Sequence, residues 1–178
     1  MGKILFAEQN GVHVLKFIGE VRLTLGPTIS TFLERLESCD GFQSMIIDLS
    51  ETETIDSTAL GLIAKIGVCT REYFDSRAII VSPREDITRI LNSMAMEQVC
   101  AVTCDELVTD ASGLQELSTE ITSEEFLRDQ VLDAHKTLMA LGDQNLGKFQ
   151  DLVEALEDEK EHERSGGKTG LPTIATGT

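Results

Sequence analysis

Apolar and polar positions alternate from Val12 to Ile18, with Val12, Val14 and Lys16 on one face and His13, Leu15 and Phe17 on the other. A period of two marks a strand. Lys3 to Glu8 supplies a second strand, and Asn10-Gly11 between them is a strong signal for a tight hairpin turn. The period then lengthens. Ile29, Phe32, Leu33 and Leu36 recur at helical spacing, after a Gly26-Pro27 opening in which the missing proline N–H costs least and before a closing Gly41. Met45 to Leu49 is a short apolar run that fits a parallel strand covered by helices on both faces. Ser50 to Ile55 reads as a polar loop with two Glu. Asp56-Ser57-Thr58 starts a helix with apolar Leu60, Ile63, Ala64 and Ile66, and Arg77 to Val81 is the next strand. Ser82-Pro83-Arg84-Glu85 has the form of a capping box, and Ile87, Ile90 and Leu91 carry a third helix to Met94. Val99 to Thr103 is the last strand of the series.

The order ββαβαβαβ over residues 3–104 predicts an α/β domain at 1–104, with a mixed sheet and flanking helices. Residues 105–122 read as a linker with a short helix around Leu114. A second capping box at Thr122-Ser123-Glu124-Glu125 precedes Leu127, Val131, Ala134, Leu138 and Leu141 at near-heptad steps. Gly142-Asp143 breaks this helix, and Leu146, Phe149, Leu152, Val153 and Leu156 mark another. The pair predicts an acidic helical hairpin over 123–160. Its seam packs on itself or on the preceding domain, or else forms a second docking surface or a dimer seam for a further regulator. The tail at 161–178, rich in Gly and Thr beyond Ser165-Gly166-Gly167, is expected to be disordered.

Composition narrows the function. The hydrophobic fraction, 41%, suffices for a core, and with seven Phe, one Tyr and no Trp that core must rest on Ile, Leu, Val and Met. A formal charge of −16 repels phosphate backbones and anionic lipid, which argues against nucleic acid and membrane as partners. Cys39, Cys69, Cys100 and Cys104 match no zinc spacing and are expected to be buried free thiols in a reducing compartment. The N-terminal apolar stretch is too short for a signal peptide and nothing later reaches the length of a membrane span, so the expected location is the cytoplasm. Catalysis lacks a constellation. His13, His135 and His162 lie far apart, Ser57 has no Gly-x-Ser-x-Gly context, a Cys69–His13 pair would lack an orienting group, and no Gly-x-x-x-x-Gly-Lys loop is present. The expectation is a binding protein, not an enzyme, without catalytic or metal residues and without a cofactor.

The most informative stretch runs from Ile46-Ile47-Asp48-Leu49-Ser50 to Ile55-Asp56-Ser57-Thr58-Ala59-Leu60-Gly61. It joins a buried strand to a helix start, where the Ser57 hydroxyl should be open to solvent. On chemistry alone the Asp-Ser-Thr run serves either as an N-cap or as a modification site. The element order together with Asp56-Ser57-Thr58-Ala59-Leu60-Gly61 and Asp48-Leu49-Ser50 resembles the STAS domain of anti-sigma factor antagonists over residues 3–104. Ala59 departs from the family, which usually has Gly there. The resemblance implies that Ser57 is a phosphorylation target, with Thr58 a secondary candidate and Asp56, Thr58, Ala59 and Gly61 as its surroundings. It also implies a partner-switching cycle. The unphosphorylated chain binds an anti-sigma factor, often itself the serine kinase, and a metal-dependent PP2C-type phosphatase resets it. Leu23, Ile55 and Leu60 are candidates for the partner interface. The alternative is a phospho-regulated scaffold that controls another regulator, of biofilm or motility, without a sigma factor.

Overall fold

The computed structural model describes residues 1–106 and 111–166. Its centre is a six-stranded sheet in the order β5-β4-β3-β2-β1-β6. β1 (Lys3–Gln9) and β2 (Val12–Val21) form the hairpin, with Gln9 paired to Val12 across a two-residue turn. Asn10 and Gly11 both take positive φ there, 53° and 81°, as a turn matching the strand twist requires. β3 (Ser44–Ile55), β4 (Ala78–Val81) and β5 (Cys100–Thr103) add in parallel to β2, and the α/β mixed sheet expected from the sequence is present.

Inward residues of the central strands, among them Leu15, Phe17, Met45, Ile47, Leu49 and Ile80, are essentially inaccessible. They form one core with residues from α1 (Gly26–Glu37), α2 (Ser57–Phe74) and α3 (Glu85–Ser93). Val14, Ile46 and Val81, on the opposite face, make a smaller cluster with Val12 and Leu114. The core extends into the C-terminal helices through Ala134 and Leu138.

Several expectations change. Ser50 to Ile55 is not a loop, because β3 continues through it beside Ile18 to Val21, with register shifts. Beyond Asp48, β3 has β2 on one side but no paired residue of β4, so its outward positions tolerate Glu51 and Glu53, while buried Thr52 donates to the Phe17 carbonyl at 3.1 Å. The Ser82 capping box does not form. Ser82 is buried at the end of β4 and its Oγ bonds Thr88 Oγ1 at 2.8 Å, so α3 starts at Glu85 without a side-chain cap. In the stretch read as a linker, a 3-10 turn (Ala111–Gly113) leads into β6 (Gln115–Glu116), an edge strand antiparallel to β1. Two residues are too few for a periodic signal. Part of the linker, 107–110, lies outside the described residues.

The helical hairpin is built from α4 (Glu124–Met139) and α5 (Asp143–Gly166). Ser123 caps α4 by accepting from the Phe126 N–H at 3.2 Å. α5 runs on through the charged stretch, so 161–166 is helix where disorder was expected, and 167–178 lies outside the described residues. Ion pairs from Arg128 to Glu163, Lys160 to Asp129 and Lys136 to Glu157 tie the arms together along this polar stretch. Leu146 and Leu152, read as seam positions, are exposed.

Of the four thiols, only Cys69 and Cys100 are buried. Cys39, just past α1, is half-buried, and Cys104, just past β5, is exposed. Burial pushes the Cys100 thiol up to about 12 from its ordinary 9.0. Cys104 should therefore react with a thiol reagent in the folded protein, while Cys100 should react only on unfolding. Titration adds a second readout. The unfolded thiol ionises near 9 and the folded one does not until about 12, so the Cys100 contribution to stability is whole below pH 9 and is lost as pH rises across that window.

Candidate functional site

The loop between β3 and α2 is fixed by Asp56. Its N–H donates to the Val21 carbonyl at 3.0 Å, and its backbone is extended (φ −88°, ψ 167°) immediately before the helix. One carboxylate oxygen accepts from the Ala59 N–H at 2.7 Å and the other from the Leu23 N–H at 2.9 Å. Asp56 is thus the N-cap of α2 and also a clamp on the chain leaving β2. With the cap supplied by Asp56, the Ser57 hydroxyl at the first helical position is released from capping.

That hydroxyl is less open to solvent than expected. Ser57 is half-buried, and its Oγ lies 2.9 Å from Nε2 of His135 in α4. His135 Nδ1 is 2.6 Å from the Val131 carbonyl, which can only accept. Nδ1 therefore carries the proton in the neutral ring, Nε2 is an acceptor, and Ser57 donates to it. His135 is buried and its ring meets Phe149 of α5 in an edge-on contact with centroids 4.9 Å apart. The correction has a simple cause: an element 78 residues downstream covers the helix mouth.

Two glycines permit that cover. A Cβ at Gly61 would overlap the Ala134 carbonyl and lie 2.7 Å from the Ala134 Cβ. A Cβ at Gly26 would overlap Gln130 Oε1. α4 thus crosses α2 at backbone contact, with Ala134 fully buried at the crossing. Lys65 of α2 pairs with Asp133 at the rim, and Gln130 Nε2 donates to Ser30 Oγ at 2.6 Å. Gln130 Oε1 is buried without a partner, a defect that costs about 1–3 kcal/mol.

The other candidate positions divide. Leu23 and Ile55 are half-buried beside the loop, whereas Leu60, offered as an interface residue, is 1% exposed and belongs to the core, because it faces inward from the first turn of α2. Thr58 and Ala59 are buried as well. Ala59 has ordinary helical geometry, so the departure from Gly brings no strain. Glu51, on the outward side of β3, is drawn to Lys16 at 3.0 Å.

His13 pairs with Cys39, not Cys69. Cys39 Sγ is 3.4 Å from Nε2, and Nδ1 lies 3.1 Å from the Gly11 carbonyl. The pair borders a cleft of about 590 Å³ between β1, α1 and the 116–120 segment. The orienting carbonyl is a backbone atom, which residue spacing cannot display. Cys69 sits instead in α2 beside Tyr73, its thiol raised by burial. Among the described residues no group of three His, Cys, Asp or Glu side chains is placed to hold a metal, and no helix is long and apolar enough to cross a membrane.

A mixed sheet whose strand β3 ends at Ile55, with Asp56 alone between it and a helix that opens on Ser57, frames the site. The family model of the STAS domain matches residues 3–111, more than half of the chain, and the chain belongs to that family. No curated protein matches it. The hairpin α4–α5 lies outside the matched segment.

Replacing Asp56 with Ala removes both carboxylate bonds and should lower stability by about 1–2 kcal/mol, read as a shift in the urea midpoint. Asn, which keeps one acceptor oxygen, should recover part of the loss. An unchanged midpoint in D56A would show that the cap contributes nothing.

Proposed function

We propose that the chain is an anti-sigma factor antagonist that acts by phosphorylation-controlled partner switching in the cytoplasm. In this reading the unphosphorylated form binds an anti-sigma factor, and phosphorylation of Ser57 by a serine kinase releases it. A PP2C-type phosphatase restores the binding form. The observation that carries the reading is the Ser57 hydroxyl, which sits at the first position of α2 within the Asp56-Ser57-Thr58 motif and is spared from capping by Asp56.

Electrostatics supports the choice of position. A phosphoryl group adds about 1.5 to 2 negative charges at neutral pH. The amino end of α2 offers free N–H groups and the positive end of the helix dipole, so the domain itself tolerates that charge. A partner packed over Ser57 would have to desolvate it, and release follows without refolding. Thr58 is the poorer target, because it is 5% exposed.

The hairpin beyond the matched segment favours a second reading, a phospho-regulated scaffold whose added helices engage a regulator other than a sigma-factor antagonist. The two are separated by purifying tagged Ser57→Ala and Ser57→Asp chains from the native cell and identifying the bound proteins. Antagonism predicts a sigma-factor regulator retained by S57A and weakened by S57D about 5- to 150-fold. Retention by both variants, or absence of phosphate on Ser57 in the native protein by mass spectrometry, would overturn the switch.

A further inference from the structure

We infer that α4 is an internal occupant of the partner-docking face, and that a partner's helix engages the Ser57 surface only by displacing it. This rests on the reading of Ser57 as the switch. α4 already occupies the α2 face beside Ser57 and reaches the start of α1. Ser57 donates to His135, Gly61 receives the Ala134 backbone, Gly26 receives Gln130, and Lys65 receives Asp133. The face therefore fits a helix with a small residue at the crossing and a carboxylate beside it.

Beside its buried apolar centre at Ala134 and Leu138, the contact has weak points. Gln130 Oε1 is buried without a partner, and the rim is held by an ion pair between half-exposed side chains. The hairpin's arms can swing together about the turn, since three ion pairs of their own tie them to each other. Its turn is anchored elsewhere, where Asn145 Nδ2 donates to the Met94 carbonyl at 2.8 Å and Lys148 Nζ to the Ser93 carbonyl at 3.0 Å. Phosphorylation bears on the same contact. A phosphoserine lacks the hydroxyl proton and sets three added oxygens and up to about two charges at an Oγ that lies 2.9 Å from His135 Nε2, so the present hydrogen bond is lost. Modification of Ser57 thus breaks a contact that seats α4, and loosens α4 as it blocks a partner.

The test uses the full chain and a fluorescent peptide of residues 123–141 as the probe. Ala134→Glu places a charged side chain at the crossing without altering the α2 face. Amide exchange over 124–139 should rise about tenfold or more in A134E and in S57E, while Met45 to Leu49 stay protected. The labelled peptide should bind A134E about tenfold or more tighter than wild type, and lose that gain in A134E/S57E. If Cys100 becomes reactive in A134E, the domain has unfolded, and H135A is then judged by the same two measurements. Wild-type exchange over 124–139 in both S57E and the opening variant, or equal peptide binding by wild type and the opening variant, would overturn the inference. Failure of the switch is distinguishable: Ser57 would carry no phosphate in the native protein, yet the opening variant would still expose the face to the peptide.

Discussion

One carboxylate sets the geometry on which the site depends. Asp56 binds the Ala59 N–H of α2 and the Leu23 N–H of the chain leaving β2, while its own N–H holds the Val21 carbonyl. The ends of β2 and β3 and the start of α2 are therefore locked at one point. Donors at a helix start must be satisfied somewhere. Because Asp56 satisfies the Ala59 N–H with a charge-assisted bond, Ser57 is left one residue inside the helix with a hydroxyl that is not needed as the cap. A residue that capped the helix and also accepted phosphate would couple modification to unfolding. In the proposed switch the two duties fall on adjacent residues, Asp56 and Ser57.

A second constraint is steric. Gly61 leaves a lane that a Cβ would close, through which α4 approaches α2 at backbone contact, and Gly26 of α1 leaves room for the Gln130 side chain. Dispersion falls steeply with separation, so close crossing strengthens the contact between Ala134 and α2. The same closeness places His135 over Ser57. The charge of the domain works with this arrangement. Asp133 is drawn to Lys65 and Glu51 to Lys16, so the cations near the site are engaged by carboxylates before any phosphate arrives. A dianion on Ser57 therefore meets a helix dipole but no free cation among these groups, and its effect is felt chiefly by whatever packs above it.

Much of the fold was legible because its signals are local. Asn10-Gly11 demanded positive φ at two successive residues, and the alternation of His13, Leu15 and Phe17 named the core face of β2. Asp56 announced a cap. The errors arose where a long-range partner overrode local chemistry. Ser50 to Ile55 looks polar but is held as strand by β2, and Ser82 forsakes its capping box for Thr88 because it is buried at the end of β4. β6 is two residues and depends on pairing with β1. The cover over Ser57 carried one sequence trace, Gly61 in the motif, whose reason lies in a helix that the motif does not contain. His135 was visible only as one of three scattered imidazoles, since a contact across 78 residues leaves no local period.

The covered hydroxyl changes what a switch at this position must do. A serine standing free on a surface is controlled by the affinity of one partner, and phosphate subtracts from it. Under the proposed displacement, a serine beneath α4 participates in two equilibria, docking of the hairpin and docking of a partner, which draw on the same atoms. The apparent affinity for a partner is then its intrinsic affinity reduced by the fraction of time the face is open. A buried acceptor without a donor, Gln130 Oε1, keeps the closed state from being more favourable than it would otherwise be. Weakening of that kind is what lets a ligand with modest differential affinity shift the balance. The hairpin also raises the threshold against accidental encounters, because a weak binder cannot displace a segment held at high effective concentration by its own chain. Specificity at this site thus comes from the competitor built into the chain as much as from the shape of the STAS face.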